Sequence, residues 1–350
     1  MFKADWSLPE PTQDKYSESL LSGATSFGDT AVVTIARSGG EGFDLPRDVN
    51  AETSNYPYFS YTNNSDEYAD FEDGQGYLEL TRPEKDMIEL AKQTSDKTVV
   101  VINAANAFEL GDLQDDPEID AIVWAIPGGQ VGFNALGRIL DGEVNPSAET
   151  PDTFARDIKS GPAANNFGDF QYTSMTEFAQ DDPFNKGTQT QPSFVNDNDS
   201  IYVGYRWYET AAAEGVIDYA SEVVYPFGFG LSYTTFSQSM GDISVDEASG
   251  AMTADVTVTN TGQVAGKDVV QIYDNPPYTD GGIEKAAANL LSYEKTKLLE
   301  PGETQTITVT WNRDSLASYD AKDAKAYVLE DGNYKISARA NSHELRDERR

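Results

Sequence analysis

Three short apolar runs limit what the first half of this chain can become. They are Thr30-Ala-Val-Val-Thr-Ile-Ala36, Thr98-Val-Val-Val-Ile-Asn103 and Ala121-Ile-Val-Trp-Ala-Ile126. Each is apolar along its length, the pattern of strands buried on both faces. Helix signals lie between them. Thr81-Arg-Pro-Glu84 joins a Thr cap, a proline in the first turn and a glutamate three residues after the cap, and predicts a helix to about Gln93 with Met87, Ile88 and Ala91 inward. A shorter helical stretch is expected near Leu110–Gln114, and another over Gln130–Leu140, stopped by Gly142. Strands alternating with helices pack as a mostly parallel sheet with both faces covered. Such sheets carry their sites in loops beyond the carboxyl ends of the strands. Asn103 and the Gly128–Gly129 turn are at such ends, and so is Arg37-Ser-Gly-Gly-Glu-Gly-Phe-Asp44. Glycines on both sides of Glu41 let the backbone turn sharply or approach another molecule, which leaves the carboxyl group free to point into open space. Glu41 is then either a loop residue that happens to be acidic or a working acid.

From Ser147 to Ser200 the pattern dissolves into Asn, Asp, Gln, Thr and Pro, a long polar insertion. Aromatic clusters follow at Ile201–Glu209 and Tyr225–Tyr233, read as packing between two domains in preference to platforms for sugars. After Thr234 the rhythm changes to alternation. Ala251–Asn260, Asp268–Tyr273, Thr304–Trp311 and Asn333–Ala340 read as short strands, with turns at Asn260-Thr-Gly and Asp331-Gly-Asn. Such strands build a two-sheet sandwich of immunoglobulin or fibronectin type, and the lack of cysteine favours the fibronectin version. The expected fold class is thus α/β plus all-β. A mostly parallel α/β sandwich occupies residues 1–224 and a fibronectin type III-like β-sandwich residues 225–350.

Composition narrows the chemistry. The chain has 350 residues, with 59 acidic and 25 basic side chains and a formal net charge of −34. Residues 1–230 hold 40 of the acidic and 13 of the basic groups, so most of the excess lies in the first part. Such a surface argues against nucleic acid and against an anionic membrane as partners. It reads as solvated acidic surface, since no D-x-[DN]-x-[DN]-G calcium loop is present. There is no cysteine and a single histidine, His343, which argues against thiolate chemistry, a His-based triad or a zinc site. No metal and no cofactor is expected. The chemistry falls to carboxylates. No apolar run approaches the ~20 residues of a membrane span, and the first residues lack the centre of a secretory signal, so a cytoplasmic location is expected.

The order of segments resembles glycoside hydrolase family 3. Arg37-Ser-Gly-Gly-Glu-Gly-Phe-Asp44 is similar to that family's S-G-E-G loop. Trp124-Ala-Ile-Pro-Gly-Gly-Gln-Val-Gly-Phe-Asn-Ala-Leu136 resembles its W-x-P-G-Q-E-G-x-A-L stretch, and Gly142-Glu-Val-Asn-Pro-Ser147 its N-P-S-G turn, here without the last glycine. Tyr202–Tyr208, Tyr225–Phe236 and Tyr293–Glu303 match three further landmarks in the same order. The resemblance implies the α/β sandwich and fibronectin-like domain of a β-glucosidase-like enzyme, with the first strands of the sandwich missing. It implies that Glu41 is the acid/base residue and that Arg37 and Asp44 organise its loop. The nucleophile would come from a TIM-type barrel, no segment of which is found in this chain. The substrate would be a β-glucoside or oligosaccharide, and the chain alone would be inactive. The alternative reading is a non-catalytic module that binds carbohydrate or protein. A nucleotide-binding domain is disfavoured, because the loop has no Lys and no G-x-G-x-x-G.

Overall fold

The computed structural model describes residues 4–5, 9–39, 45–52, 59–166, 170–182, 187–195 and 197–349. They form two compact units, residues 1–133 with 155–198 and residues 134–154 with 199–350.

The first unit is built on a three-stranded parallel sheet. Helix α1 (Glu18–Phe27) precedes strand β1 (Thr30–Arg37). Helix α2 (Arg82–Thr94) leads into β2 (Lys97–Ala104), and the short α3 (Gly111–Asp115) precedes β3 (Ala121–Ala125). The sheet order is β1-β2-β3, with Arg37 beside Ala104 and Asn103 beside Ala125. The three carboxyl ends therefore share one rim. Helix α2 starts where expected. Thr81 caps it, Glu84 closes the capping box, and Pro83, Glu84, Ile88 and Ala91 are buried while Met87 is half-buried. The helix packs on β1 and β2, so that Val33, Ile35, Val100 and Ile102, which share one face of the sheet, are buried together with Ile88, while Val101 is buried on the other face. Covering on both faces is complete only at the central strand. Val32 on β1 is 50% exposed, and no residue of β3 is fully buried. The edge strands thus depart from the fully buried pattern their apolar sequences suggest.

The stretch 147–200 contains one-turn 3₁₀ segments and two-residue strands, among them a small hairpin pairing Gln180–Asp181 with Gln189–Thr190. Helix α4 (Phe133–Leu140) ends where Gly142 adopts φ +79°, and the amides of Gly142 and Val144 bond back to the carbonyls of Ile139 and Arg138. Only a residue tolerant of the left-handed region closes a helix this way.

The second unit holds helices α5 (Tyr205–Ala213) and α6 (Tyr219–Glu222) and seven main strands. The strands are β4 (Phe236–Val245), β5 (Ala251–Asn260), β6 (Val269–Asn275), β7 (Asn289–Lys295), β8 (Thr304–Asn312), β9 (Lys335–Arg339) and β10 (Leu345–Arg349). One antiparallel sheet runs β4-β5-β8 and the other β7-β6-β9-β10. Met240, Val256, Val258, Ile272, Val309, Trp311 and Ile336 fill the space between them. This is the expected β-sandwich, with β4, β7 and β10 added to the strands legible from alternation. The aromatic clusters pack inside this unit. Tyr205 stacks on Phe227 with centroids 4.7 Å apart and meets Tyr273 edge-on, while Tyr225 stacks on Phe229 at 4.9 Å. Asn145 organises the turn that resembles N-P-S. Its Oδ1 accepts from the Ser232 hydroxyl (3.0 Å) and the Tyr233 amide (2.8 Å), and its Nδ2 donates to the Ala265 carbonyl (3.0 Å). No helix among the described residues is long and apolar enough to cross a membrane.

Candidate active site

Strand β1 delivers Arg37 to the carboxyl-end rim, and the chain continues through Ser38 and Gly39. Glu41 and Asp44 lie outside the described residues. What is described is the anchor in front of them. Arg37 is 7% exposed, and every N–H of its guanidinium is bonded. Nε donates to the Tyr77 carbonyl (2.8 Å), Nη1 to the Ala36 carbonyl (3.0 Å) and Nη2 to the Glu79 carbonyl (2.8 Å). Nη1 and Nη2 also form a bidentate pair with Glu84, the second bond at 2.6 Å. The rings of Phe71, Tyr77 and Phe108 surround the group, with centroids 5.7, 5.6 and 5.3 Å from its central carbon. Burial alone pushes the guanidinium pKa down, but the hydrogen bond and charge of Glu84 outweigh it and hold the value above the ordinary one.

Glu84 serves the helix at the same time. Its Oε2 accepts the Thr81 amide (2.8 Å), and the Thr81 hydroxyl accepts the Glu84 amide (3.4 Å). One carboxylate therefore joins the start of α2 to the end of β1. Ser38 continues the anchoring through a 3.1 Å hydroxyl contact with Tyr77. A Cβ at Gly39 would stand 3.0 Å from Asn106 Oδ1, so the loops after β1 and β2 run close together here. At the end of β2, Asn103 Oδ1 is buried without a hydrogen-bond partner among the described residues. Beyond β3, Gly128 and Gly132 approach so closely that a Cβ at Gly132 would sit 2.3 Å from the Gly128 carbonyl oxygen.

The same unit carries a cavity of about 410 Å³, lined by Asp70, Glu79, Arg82, Glu109 and Lys159 among others. Burial pushes the Glu109 carboxyl up to about 7, against the hydrogen bond it accepts from the Ile158 amide (2.9 Å). The charges of Glu79 and Asp157 push it the same way and Lys159 opposes them. Glu109 is thus divided near neutrality between a proton donor and an acceptor. Asp70 is 1% exposed, and its Oδ2 accepts from the Asn64 amide (2.8 Å) and Tyr61 hydroxyl (3.2 Å). Among the described residues no three carboxylate or imidazole groups converge as metal ligands would. The family resemblance points to Arg37, whereas nothing in the sequence marks Glu84, Tyr77 or Glu109 as parts of a site. The signal available for Glu84, the capping-box pattern, marks a helix start.

Known proteins match both halves. A model of the glycosyl hydrolase family 3 C-terminal domain matches residues 21–233, and one of a fibronectin type III-like domain matches residues 268–342. Beta-glucosidase A of Butyrivibrio fibrisolvens is 34% identical over 339 residues, which cover 91% of this chain and 36% of that protein. A beta-glucosidase of Ruminococcus albus is 31% identical over 325 residues, covering 92% of this chain and 28% of that protein. Among solved structures, a beta-glucosidase from Paenibacillus barengoltzii superposes with a TM-score of 0.71 at 28% identity, over 96% of this chain and 31% of that one. Beta-glucosidase 3B from Thermotoga neapolitana, in complex with glucose, gives 0.71 at 27% identity, over 97% and 40%. The chain spans about a third of the length of the relatives it matches.

Proposed function

We propose, since this chain belongs to glycoside hydrolase family 3, that it supplies the acid/base glutamate of a retaining β-glycosidase, namely Glu41. The observation that carries this reading is the family match over residues 21–233, which includes the glycine-flanked Glu41. The buried anchoring of Arg37 four residues earlier supports it, because an acid on a short loop needs a fixed strand end behind it. In this reading the α/β domain runs to about residue 224, and Arg37 and Asp44 organise the loop.

The chemistry requires a second carboxylate. Glu41, protonated, donates its proton to the glycosidic oxygen as the bond to the anomeric carbon breaks. A carboxylate on a TIM-type barrel partner attacks the opposite face of that carbon, roughly 5–5.5 Å from the acid, and forms a glycosyl-enzyme. Glu41, now ionised, takes a proton from the water that releases the sugar. The substrate is a β-glucoside or oligosaccharide, and this chain alone is inactive.

The test is hydrolysis of aryl β-glucosides by this chain with and without a matching barrel domain. Turnover is expected only in the mixture. There Glu41→Gln should lose roughly 10²–10⁴-fold on poor leaving groups, which need the proton, and less on good ones, with partial rescue by azide. Robust hydrolysis by the isolated chain, unaffected by Glu41→Gln, would overturn the assignment. Saccharide binding without turnover in any mixture would favour a non-catalytic binding module instead.

A further inference from the structure

Helix α5 in the second unit carries Glu209, a carboxylate 8% exposed. It gathers three segments. Tyr219 on α6 donates its hydroxyl to Oε1 at 2.8 Å, Ser342 donates its hydroxyl to the same oxygen at 2.9 Å, and His343 Nδ1 lies 2.9 Å from Oε2. The imidazole also stacks on the Tyr219 ring, with centroids 3.7 Å apart and planes at 9°. Ser342 and His343 belong to the turn between β9 and β10. Asn341 Oδ1 shapes that turn by accepting the amides of His343 (2.9 Å) and Glu344 (2.8 Å).

A carboxylate so deeply buried persists as an anion only with hydrogen bonds and compensating charge around it. Tyr219 and Ser342 are neutral donors. Positive charge comes from Arg339 and His343. Arg339 directs its bonds elsewhere, to Ser337 Oγ (2.9 Å), the Ser342 carbonyl (2.5 Å) and Asn275 Oδ1 (2.6 Å). His343, with a side chain 45% exposed, is the partner that bonds Glu209 itself. It is also the side chain whose charge changes near neutral pH.

We propose that Glu209 and His343 form an acid-strengthened clasp, which fastens the 341–344 turn to helices α5 and α6 while the imidazole is protonated and loosens as it loses its proton. The groups facing His343 are Glu209 from α5, Tyr219 from α6, and Arg339 and Glu344 from its own strand and turn. The Glu209 hydrogen bond is the strongest influence and raises the pKa. Burial and Arg339 oppose it, and the charges of Glu209 and Glu344 add to it. A folded-state pKa above the unfolded one means that the stabilisation is complete below the unfolded value and lost as pH rises through the folded value. Helix α5 has other ties to the sandwich. Tyr205 Oη and Thr210 Oγ1 accept the amides of Leu290 and Ala287, both at 2.9 Å. Deprotonation therefore loosens the turn at His343, while the Ser342 hydroxyl bond to Glu209 and the Ser342 amide bond to the Phe227 carbonyl (2.9 Å) remain and the helix stays docked.

Because the chain has one histidine, its two imidazole C–H resonances in the NMR spectrum titrate without overlap from another histidine. In the intact chain the midpoint is expected to be higher when folded than in concentrated urea, and Glu209→Gln should move the folded midpoint down towards the urea value. A folded midpoint equal to or below that in urea overturns the clasp, and this comparison needs no variant to fold. His343→Asn supplies the energetic readout. The ratio of its unfolding constant to the parent's should be larger at about pH 5 than at about pH 8.5. A ratio independent of pH would likewise overturn the proposal.

Discussion

Replacing Glu84 by glutamine removes the charge facing Arg37 and keeps an oxygen for the Thr81 amide. The side chains of the pair are 5% and 4% exposed, so water cannot take the carboxylate's place. Removing one partner of a buried ion pair costs about 3–5 kcal/mol, because the other charge is left uncompensated. The cap, worth roughly 0.5–2 kcal/mol, is largely retained by the amide oxygen. Arg37→Met costs at least as much. It strands the Glu84 anion and takes donors from the carbonyls of Tyr77, Ala36 and Glu79. In the double variant no charge is left buried. The three carbonyls still lack their donors, at about 1 kcal/mol each, so the pair of changes should cost about 3–5 kcal/mol and not the sum of the singles. The coupling energy is then at least about 3–5 kcal/mol.

Urea unfolding followed by circular dichroism measures it. With a slope near 2 kcal/mol/M, Glu84→Gln should lower the midpoint of the transition that reports the α/β unit by about 2 M. A loss below about 1 kcal/mol, or additive costs in the double variant, would mean that Arg37 and Glu84 do not act as a pair. The anchoring of the strand end before Glu41 would then need another source.

Two further outcomes follow from the same unit. Burial holds the Glu109 carboxyl at about 7 instead of 4.5, so the folded state binds its proton more tightly; the stabilisation is complete below the lower value and lost as pH rises towards the higher. Urea midpoints should fall across that window, and Glu109→Gln should flatten the slope. Gly132→Ala places a Cβ 2.3 Å from the Gly128 carbonyl oxygen and 2.8 Å from its Cα, backbone atoms with little freedom to move, and should destabilise by about 1–3 kcal/mol in thermal unfolding. An unchanged melting temperature would show that the turn shifts at no cost.

The sequence was most informative where burial was deepest. Strand β2 has Val100, Val101 and Ile102 at 0% exposure, and its apolar run was legible for that reason. Helix α2 was legible at its start because a capping box is local chemistry. Elements with little buried surface left no such mark. Helix α1 buries no residue, so it has no inward stripe to detect. In β4 only Met240 is fully buried, and a register shift between Met240 and Ile243 breaks the alternation. Strand β10, Leu345-Arg-Asp-Glu-Arg349, is an edge strand tied down by its charges: Asp347 accepts the Met240 amide of β4 (2.9 Å), and Arg346 and Arg349 donate to the carbonyls of Phe236 and Met240. A pattern search for strands passes over it because what holds it is polar and leaves no apolar alternation.

The candidate site divides along the same line. Arg37, Glu41 and Asp44 stand within one short motif, so a resemblance to the family's loop is enough to name them together. Glu84 is 47 residues from Arg37, and nothing local links them. As the third residue of α2 it already has a sufficient explanation, since it accepts the Thr81 amide and places a negative charge at a helix start. The second role exists only after α2 has packed across β1. Ile35 and Ile88, at 1% and 4% exposure, belong to the apolar faces that this packing buries. It brings the first turn of the helix to the last residue of the strand and closes water out from between them. Only then does a capping carboxylate become the counter-ion of a buried guanidinium. The pair is a consequence of apolar packing, and the fixed strand end from which the Glu41 loop departs is a consequence of the pair.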